Sequence, residues 1–441
     1  MSDAGEMNVL LVGGGGREHA LAWGLARSPR ARRLDIAPGS AAMADLGRCV
    51  DIAAHDVPAL VSLAERERYD LVVVGPEAPL VQGLCDRLAE RGIAVLGPRA
   101  GAAELEGSKV FAKRFMTRHD IPTADYVVFD QAPAATRWLR EGGRVFPLVI
   151  KADGLAAGKG VVIADDAAAA ADAAEGMLSG RAFGEAGRRI VIEERLVGRE
   201  VSFFVLASGT DFVELATCQD YKRAEDADRG PNTGGMGAYS PSVLDPETRE
   251  EIVERIVRPT LAGLVRDERP YCGALYIGLM LTPAGPRVLE YNVRFGDPET
   301  QVLVPRFVSG GGDWVDVLHR AATGRLGGAT LSFAREAAVC VVMTSAGYPG
   351  PYEAGAQING LERAAELDDV LVFHAGTRRD GSGRWVTAGG RVLAVTALGR
   401  DLADARSRAY TAVDRIDWSG ERHRSDIARI GDSNLISRGA K

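Results

Sequence analysis

Residues 150–161 read IKADGLAAGKGV, and the fold turns on what this glycine-rich stretch is. A P-loop needs four residues between its glycines, then Lys and a Ser or Thr whose hydroxyl holds the metal. Here Gly154 and Gly158 enclose only three residues, and Lys159 is followed by Gly160. The stretch also joins two apolar runs, near 147–151 and 160–164, instead of joining a strand to a helix. It therefore reads as the tip of a β-hairpin, a lid over a nucleotide. Further strands are expected near 125–129 and 189–194, with Ala-rich helices such as DDAAAAADAAEGML between them.

Upstream the pattern alternates. From Asn8 to Pro98, short apolar runs (NVLLV, RRLDIAPG, CVDI, YDLVVVGPE, IAVLGP) take turns with helical stretches, and most stop at Gly or Pro. Such alternation predicts a doubly wound parallel sheet, with ligands at the carboxyl ends of its strands. GGGGREHA and GPEAPL both fall at such ends. The first is a poor dinucleotide fingerprint, because the third glycine position is Glu18 or His19 and no acidic residue closes the second strand. A glycine turn feeding a helix N-terminus still suits a phosphate, so a phosphorylated substrate is expected there, with His19 a further candidate contact.

Downstream, SKVFAKRFMTRHDIPT reads as an exposed amphipathic helix ending near Asp120. QDYKRAEDADRGPNTGGMGAYSP reads as a long polar loop carrying substrate residues, followed by a helix from Pro246 to about Arg266. CGALYIGLMLT and RVLEYNVRFGDPE read as paired strands. The last hundred residues read as α+β, closing with a helix over 401–416. The expected domains are an N-terminal parallel α/β substrate domain (1–106), a central α+β domain (107–330) with a lid at about 122–194, and a small C-terminal α+β domain (331–441).

Composition narrows the function. The 441 residues carry a formal charge of −7, which argues against a nucleic-acid surface. The five cysteines are scattered, with no C-x-x-C, as expected of reduced thiols in a cytoplasmic protein. The acidic N-terminus does not resemble a signal peptide, and no apolar run is long enough to span a bilayer. Only six of the 53 basic residues are lysines, and all five internal ones lie between Lys109 and Lys222. Where a chain that prefers Arg still uses Lys, a compact point charge for phosphate is the natural reason. Lys109 and Lys151 are the strongest candidates, Lys113 a weaker one.

The chemistry collects in LEYNVRFGDPETQ. Glu290 and Asn292 share one face of a strand and offer hard oxygen ligands suited to Mg²⁺ on a triphosphate. Arg294 falls on the same face, in reach of a transferring phosphoryl group. VIEERLVGREVS sets Glu193 and Glu194 at a strand end, with Glu200 beyond, able to offer backbone groups to adenine and a carboxylate to ribose. Asp220, Lys222, Arg223 and Asp228 precede the loop bearing Asn232, Thr233, Gly234 and Gly235. No nucleophile–base pair stands out.

In this order, Lys109, Lys151 with its Gly-rich loop, the IEE linker and E-x-N-x-R resemble the ATP-grasp superfamily. GGGGREHA, GPEAPLVQG, LEGSKVFAK, KADGLAAGKGV, D-x-K-R, GPNTGGMGAYSP, RFGDPETQ and the C-terminal RSDI resemble its glycinamide ribonucleotide synthetase (phosphoribosylamine–glycine ligase) family. The resemblance covers nearly the whole chain. It implies transfer of the γ-phosphoryl of MgATP to glycine, then attack of 5-phosphoribosylamine on glycyl phosphate, in a monofunctional, cytoplasmic, monomeric enzyme of purine biosynthesis. By resemblance Lys109, Lys151, Asp153, Gly154, Gly158, Lys159 and Gly160 serve the ATP phosphates and lid. Glu193, Glu194 and Leu196 serve adenine, and Glu200 the ribose. Glu290 and Asn292 hold Mg²⁺, with Mn²⁺ as an alternative. Arg294, Lys151 and Asp220 are catalytic. Gly14, Gly15, Gly16 and Arg17 meet the sugar phosphate and Glu77 the ribose hydroxyls, while Asn232, Thr233, Gly234, Gly235 and Arg294 line the glycine and amine pocket. The rivals are a biotin-dependent carboxylase, which would ignore glycine, a nucleotide-binding regulator without turnover, and a dehydrogenase.

Overall fold

In the computed structural model, which describes residues 5–155, 160–180 and 184–429, four larger sheets organise the chain. The first is parallel throughout, in the order Arg48–Cys49, Ala31–Pro38, Met7–Gly13, Leu71–Val74, Val95–Leu96. Its central strand shows why it forms. Val9 and Leu11 enter one hydrophobic cluster and Leu10 and Val12 another, so the strand is buried on both faces. Both clusters run on into the central antiparallel sheet, Asp211–Glu214, Arg199–Ser208, Cys272–Thr282 and Gly285–Asn292. Phe203, Ile277 and Val288 join one, and Phe204 and Tyr276 the other.

The lid is a third sheet, Tyr126–Phe129, Ile190–Glu194, Leu148–Ala152, Val161–Ala164, antiparallel at every pairing. The Ala132–Arg140 and Ala167–Leu178 helices pack on it around Leu139, Ile150, Ala170, Ala174 and Ile192, a cluster of its own. The 150–161 stretch does connect two antiparallel strands, with Lys151 opposite Val161.

Two expectations change. The polar stretch after Thr217 is not an open loop. It folds into Gln219–Asp220, the Arg223–Glu225 and Arg229–Asn232 ribbon, and Gly237–Ser240. Polar and glycine-rich residues look like a loop when read locally, but Gly237 is a strand residue whose missing side chain admits the Cys340 carbonyl: a Cβ there would sit 2.7 Å from it. Moreover, Gln219–Asp220 and Gly237–Ser240 belong to the fourth sheet, beside Ala337–Thr344, Arg391–Gly399 and Val370–His374. That sheet draws strands from both sides of residue 331. The helix expected from Pro246 does reach Arg266, but widens to a π turn at Val253–Val257 just before Pro259. Proline lacks an N–H and crowds the preceding turn, and the extra residue in the turn makes room for it.

Candidate active site

The described internal lysines converge. Glu193, buried at the end of the Ile190–Glu194 strand, has Lys113 Nζ 2.7 Å from Oε2 and Lys151 Nζ 2.5 Å from Oε1. Lys113 also donates to Thr123 Oγ1 (2.7 Å), which donates to the Val288 carbonyl (2.7 Å), fastening the lid's root to the central sheet. Lys151 Nζ donates to the Leu289 carbonyl, and Lys109 Nζ to the Gly154 carbonyl, both at 3.3 Å. Lys222 Nζ stands 3.2 Å from Glu290 Oε1.

This geometry revises several roles. Lys113 lies on no exposed face; its side chain is 3% accessible. The Glu193 carboxylate is committed to two lysines, and its backbone lies between Tyr126 and Val149 inside the lid sheet. Desolvation lowers the Lys113 and Lys109 pKa values, opposed chiefly by Glu193 and Glu290 respectively. Glu193 is held below the usual carboxylate range: burial pushes it up, and Lys151 and Lys113 more than offset that. Asp153 is a clasp. Its Oδ1 accepts from Ser108 Oγ and the Val110 N–H, both at 2.8 Å, and Oδ2 accepts from Arg189 Nε at 2.8 Å. It thereby caps the Lys109–Arg118 helix from the lid. Gly154 lies against Ala186, where a Cβ would come within 2.7 Å, and Gly160 resumes the described chain after the tip. Gly158 and Lys159 lie outside the described residues.

Glu290 and Asn292 share a face of the Gly285–Asn292 strand, and Gly278 sits opposite Glu290 in register. Lys222 first, and Lys151 and Lys109 after it, hold the Glu290 carboxyl at about 2 against its burial. An ionised carboxylate beside an amide oxygen suits a hard divalent cation whose other ligands come from phosphate and water. Among the described residues no group of three or more His, Cys, Asp or Glu is placed to hold a metal ion.

Arg294 donates from Nη2 to Asn292 Oδ1 (3.1 Å) and pairs with Glu106 Oε1 (3.0 Å) and Glu77 Oε2 (3.4 Å). Glu106, absent from the sequence-based candidates, is fixed by the Val293 N–H donating to its Oε2 at 2.7 Å. Burial raises the Glu106 carboxyl despite Arg294. Glu77 ends below its ordinary value, because Arg294 and Arg17 outweigh its burial.

At the N-terminal turn, Glu18 explains the glycines. Its carboxylate accepts from the Gly15 N–H (2.8 Å) and Arg17 Nε (2.5 Å). A Cβ on Gly13 or Gly75 would meet the Glu18 side chain at 2.4 or 2.2 Å, and one on Gly14 the Gly39 carbonyl at 2.5 Å. The Gly15 donor is thus already used. The first turn of the Gly16–Leu25 helix remains, with Arg17, which also donates to the Phe295 carbonyl (3.3 Å). His19 is a packing residue: its Nδ1 accepts from the His374 N–H (2.9 Å), and burial lowers its pKa to about 4.

In the polar stretch, the Lys222 carbonyl accepts from the Thr233 N–H (2.8 Å) and Oγ1 (2.9 Å), Thr233 Oγ1 accepts from the Gly235 N–H (3.0 Å), and Asn232 pairs in register with Arg223. Asp220 Oδ1 accepts from Ser202 Oγ at 3.3 Å. Buried Glu299 lies near it and is pushed up to about 8, by desolvation first and Asp220 second. Glu200, on the Arg199–Ser208 strand, is raised by burial, with Lys222 opposing. Glu194 Oε1 accepts from the Asp125 N–H (3.1 Å), and Leu196 lies in the irregular link to Arg199. A concavity of about 780 Å³ lies elsewhere, between Pro133, Arg137 and Arg140 on one lid helix and Glu175 and Leu178 on the other, and includes none of these residues.

Three family models match in sequence: the phosphoribosylglycinamide synthetase N domain over residues 7–106, its ATP-grasp (A) domain over 107–300 and its C domain over 338–430. A phosphoribosylamine–glycine ligase of Allochromatium vinosum is 50% identical over 425 residues, covering 96% of this chain and 98% of that one. Its counterpart in Salmonella typhimurium is 48% identical over the same shares. The crystal structure of phosphoribosylamine–glycine ligase from Thermotoga maritima superposes with a TM-score of 0.82 at 34% identity, covering 95% of this chain and 99% of that one. The biotin carboxylase domain of Hydrogenobacter thermophilus 2-oxoglutarate carboxylase reaches 0.72 at 17% identity, covering 95% and 92%, a likeness of fold alone.

Proposed function

The chain belongs to the phosphoribosylglycinamide synthetase family, and we propose that the lysine–carboxylate site serves that family's ligase reaction. The enzyme is an ATP-dependent ligase that joins glycine to 5-phosphoribosylamine, giving glycinamide ribonucleotide, ADP and phosphate in purine biosynthesis. A glycine carboxylate oxygen takes the γ-phosphoryl group, forming glycyl phosphate. The sugar amine then attacks the carbonyl carbon, the C–O bond to phosphate breaks, and the amine's proton leaves to solvent or a neighbouring carboxylate. Both halves pile negative charge into one place, so catalysis is chiefly positioning and charge neutralisation.

The observation that carries this reading is the convergence of Lys109, Lys151 and Lys222 on Glu290, with Asn292 and Arg294 beside it. Lys109 and Lys151 would hold the ATP phosphates. Glu290 and Asn292 would hold Mg²⁺, with Mn²⁺ as a substitute, which neutralises the phosphate oxygens when bound. Backbone groups of Glu194 and Leu196 would meet adenine and Glu200 the ribose. Arg294, steadied by Glu106 and Glu77, would face the transferring phosphoryl group. Arg17 and the Gly14–Gly16 turn would hold the sugar phosphate, and Asp220 with the Asn232–Gly235 segment would line the glycine and amine pocket. We divide the chain at 106 and 330, with the lid at 122–194, and take the enzyme to be a cytoplasmic monomer.

The test is ADP release from purified protein with MgATP, glycine and phosphoribosylamine generated from ribose 5-phosphate and ammonia. Release that needs both glycine and the sugar amine is expected. Release indifferent to glycine would point to another acid substrate, and ATP binding without release would favour the regulatory reading.

A further inference from the structure

Arg391 opens the Arg391–Gly399 strand of the fourth sheet, far in sequence from every residue assigned above, yet its side chain reaches two of the site's motifs. Nη1 donates to the Gly234 carbonyl at 2.7 Å and to the Asp297 carbonyl at 2.9 Å, and Nη2 donates to Asp297 Oδ2 at 2.8 Å. Tyr348, from the same C-terminal region, accepts the Gly234 N–H on its hydroxyl at 3.0 Å. The Gly234 residue is therefore held at both backbone polar groups by C-terminal side chains.

The glycines of this loop fit that grip. A Cβ on Gly234 would lie 3.2 Å from Arg391 Cζ, and one on Gly235 would lie 2.4 Å from Pro298 Cδ. Gly235 also has φ +115°, which side-chain-bearing residues rarely adopt. The other Asp297 oxygen, Oδ1, accepts from Gln301 Nε2 at 2.7 Å. Gln301 is buried against the N-terminal turn: a Cβ on Gly16 would lie 3.0 Å from that same nitrogen. Asp297 is held in its charged form, since Arg391 first and Arg17 next outweigh its burial. A line of contacts thus runs from the Gly234 loop through Arg391, Asp297 and Gln301 to the turn at Gly16. The three lysine contacts to Glu193 and Gly154 lie outside this line.

We propose that Arg391 is a positioning residue for the sugar-amine half of the site, locking the Gly234–Gly235 loop to Asp297 and, through Gln301, to the N-terminal turn. This rests on the ligase reading above. The planar fork meets these three acceptors from two separate nitrogens, whereas a lysine would have to serve them all from one. Arg391 acts through the backbone and carboxylate it holds, without touching a reacting atom.

The test uses the full-length chain with Arg391→Ala, Arg391→Lys and Tyr348→Phe, measuring the KM for sugar amine and for ATP separately, with melting temperature as a control on folding. In both Arg391 variants the sugar-amine KM is expected to rise about ten-fold or more, the equivalent of losing one good contact, with the ATP KM within about two-fold of the parent. Guanidinium ion should restore part of the loss in Arg391→Ala, and Tyr348→Phe should shift the same constant more weakly. A parallel rise in both KM values, or no change in either, overturns the proposal. A parent enzyme that releases ADP without needing the sugar amine overturns the ligase reading instead, and the positioning role with it.

Discussion

Glu193→Gln separates two readings of the strand end that carries it. If the side chain served adenine, the substitution would raise the KM for ATP and leave the fold alone. In the structure its carboxylate, 2% exposed, is instead the counter-charge for Lys113 at 2.7 Å and Lys151 at 2.5 Å. Removing one member of a buried pair leaves an uncompensated charge, which costs about 3–5 kcal/mol. Here two ammonium groups lose their partner together, although each keeps one neutral acceptor, Thr123 Oγ1 or the Leu289 carbonyl. The lower half of that range is therefore expected. The loss should fall on the lid, because Lys113 and Lys151 tie its strands to the Lys109–Arg118 helix and the central sheet. About 3 kcal/mol corresponds to roughly a hundred-fold rise in the population of the opened lid. Amide hydrogen exchange in the Leu148–Ala152 and Ile190–Glu194 strands should accelerate by about that factor, while the Met7–Gly13 strand exchanges as before. A Lys113→Met, Glu193→Gln double variant should lose less than the sum of the singles. Unaltered exchange in the lid strands, together with a raised ATP KM, would refute this reasoning.

Three further outcomes are expected. Lys151→Arg should lower kcat/KM for ATP by about ten-fold or more, because a wide planar head replaces a compact one between Glu193 and the Leu289 carbonyl; unchanged kinetics would remove Lys151 from phosphate binding. Asn292→Ala should cut activity most at limiting Mg²⁺ and recover in part with excess metal, and full activity at limiting Mg²⁺ would take it out of the metal site. His19 and His374 are buried neutral, with pKa values lowered to about 4 and about 3, chiefly by desolvation. The unfolded chain takes up protons below pH 6.5 and the folded one does not, so stability should be level above 6.5 and fall as pH drops toward 4. For His19 alone the loss by pH 5 is about 2 kcal/mol; denaturant midpoints of His19→Gln that fall as steeply as the parent's from pH 6.5 to 5 would contradict this.

How far the sequence can be read depends on the range of the interaction. The parallel sheet and the antiparallel pairing of Leu148–Ala152 with Val161–Ala164 follow from local periodicity, and both are present. Glu290 and Asn292 can be placed on one face because a strand repeats every two residues, whereas Arg294 lies in the bend beyond Asn292 and reaches back to it through Nη2. Lys113 and Glu193 read differently from sequence because their partnership spans the lid, and a helix surface drawn from SKVFAKRF alone cannot show what covers it. The scarcity of lysine is the better guide: the same argument that singles out Lys109 and Lys151 applies equally to Lys113 and Lys222, and both prove to sit on carboxylates. Glu106 gives no such signal, since an acidic residue before a helix cap is ordinary until Arg294 folds against it.

The glycines carry the same lesson further. Gly13 and Gly75 fall at strand ends where ligands are expected. In the fold both are excluded from having a side chain by Glu18, which enters between the strand ends and takes the Gly15 N–H. Gly234 and Gly235 look like a flexible substrate loop, yet they are small because Arg391 and Pro298 press against them. In each case the glycine marks close approach of a protein group, not of a ligand. What remains for substrate is the charge those contacts hold in place: Arg17 beside Glu18, and Arg294 between Glu106 and Glu77. Oriented cations in a partly buried site need no reorganisation when phosphate arrives, which is the condition under which electrostatic stabilisation is strongest. Glu18→Gln should therefore raise the sugar-amine KM by freeing Arg17, while the amide oxygen still accepts from the Gly15 N–H, and an unchanged KM would mean that Arg17 is held by the Phe295 carbonyl alone.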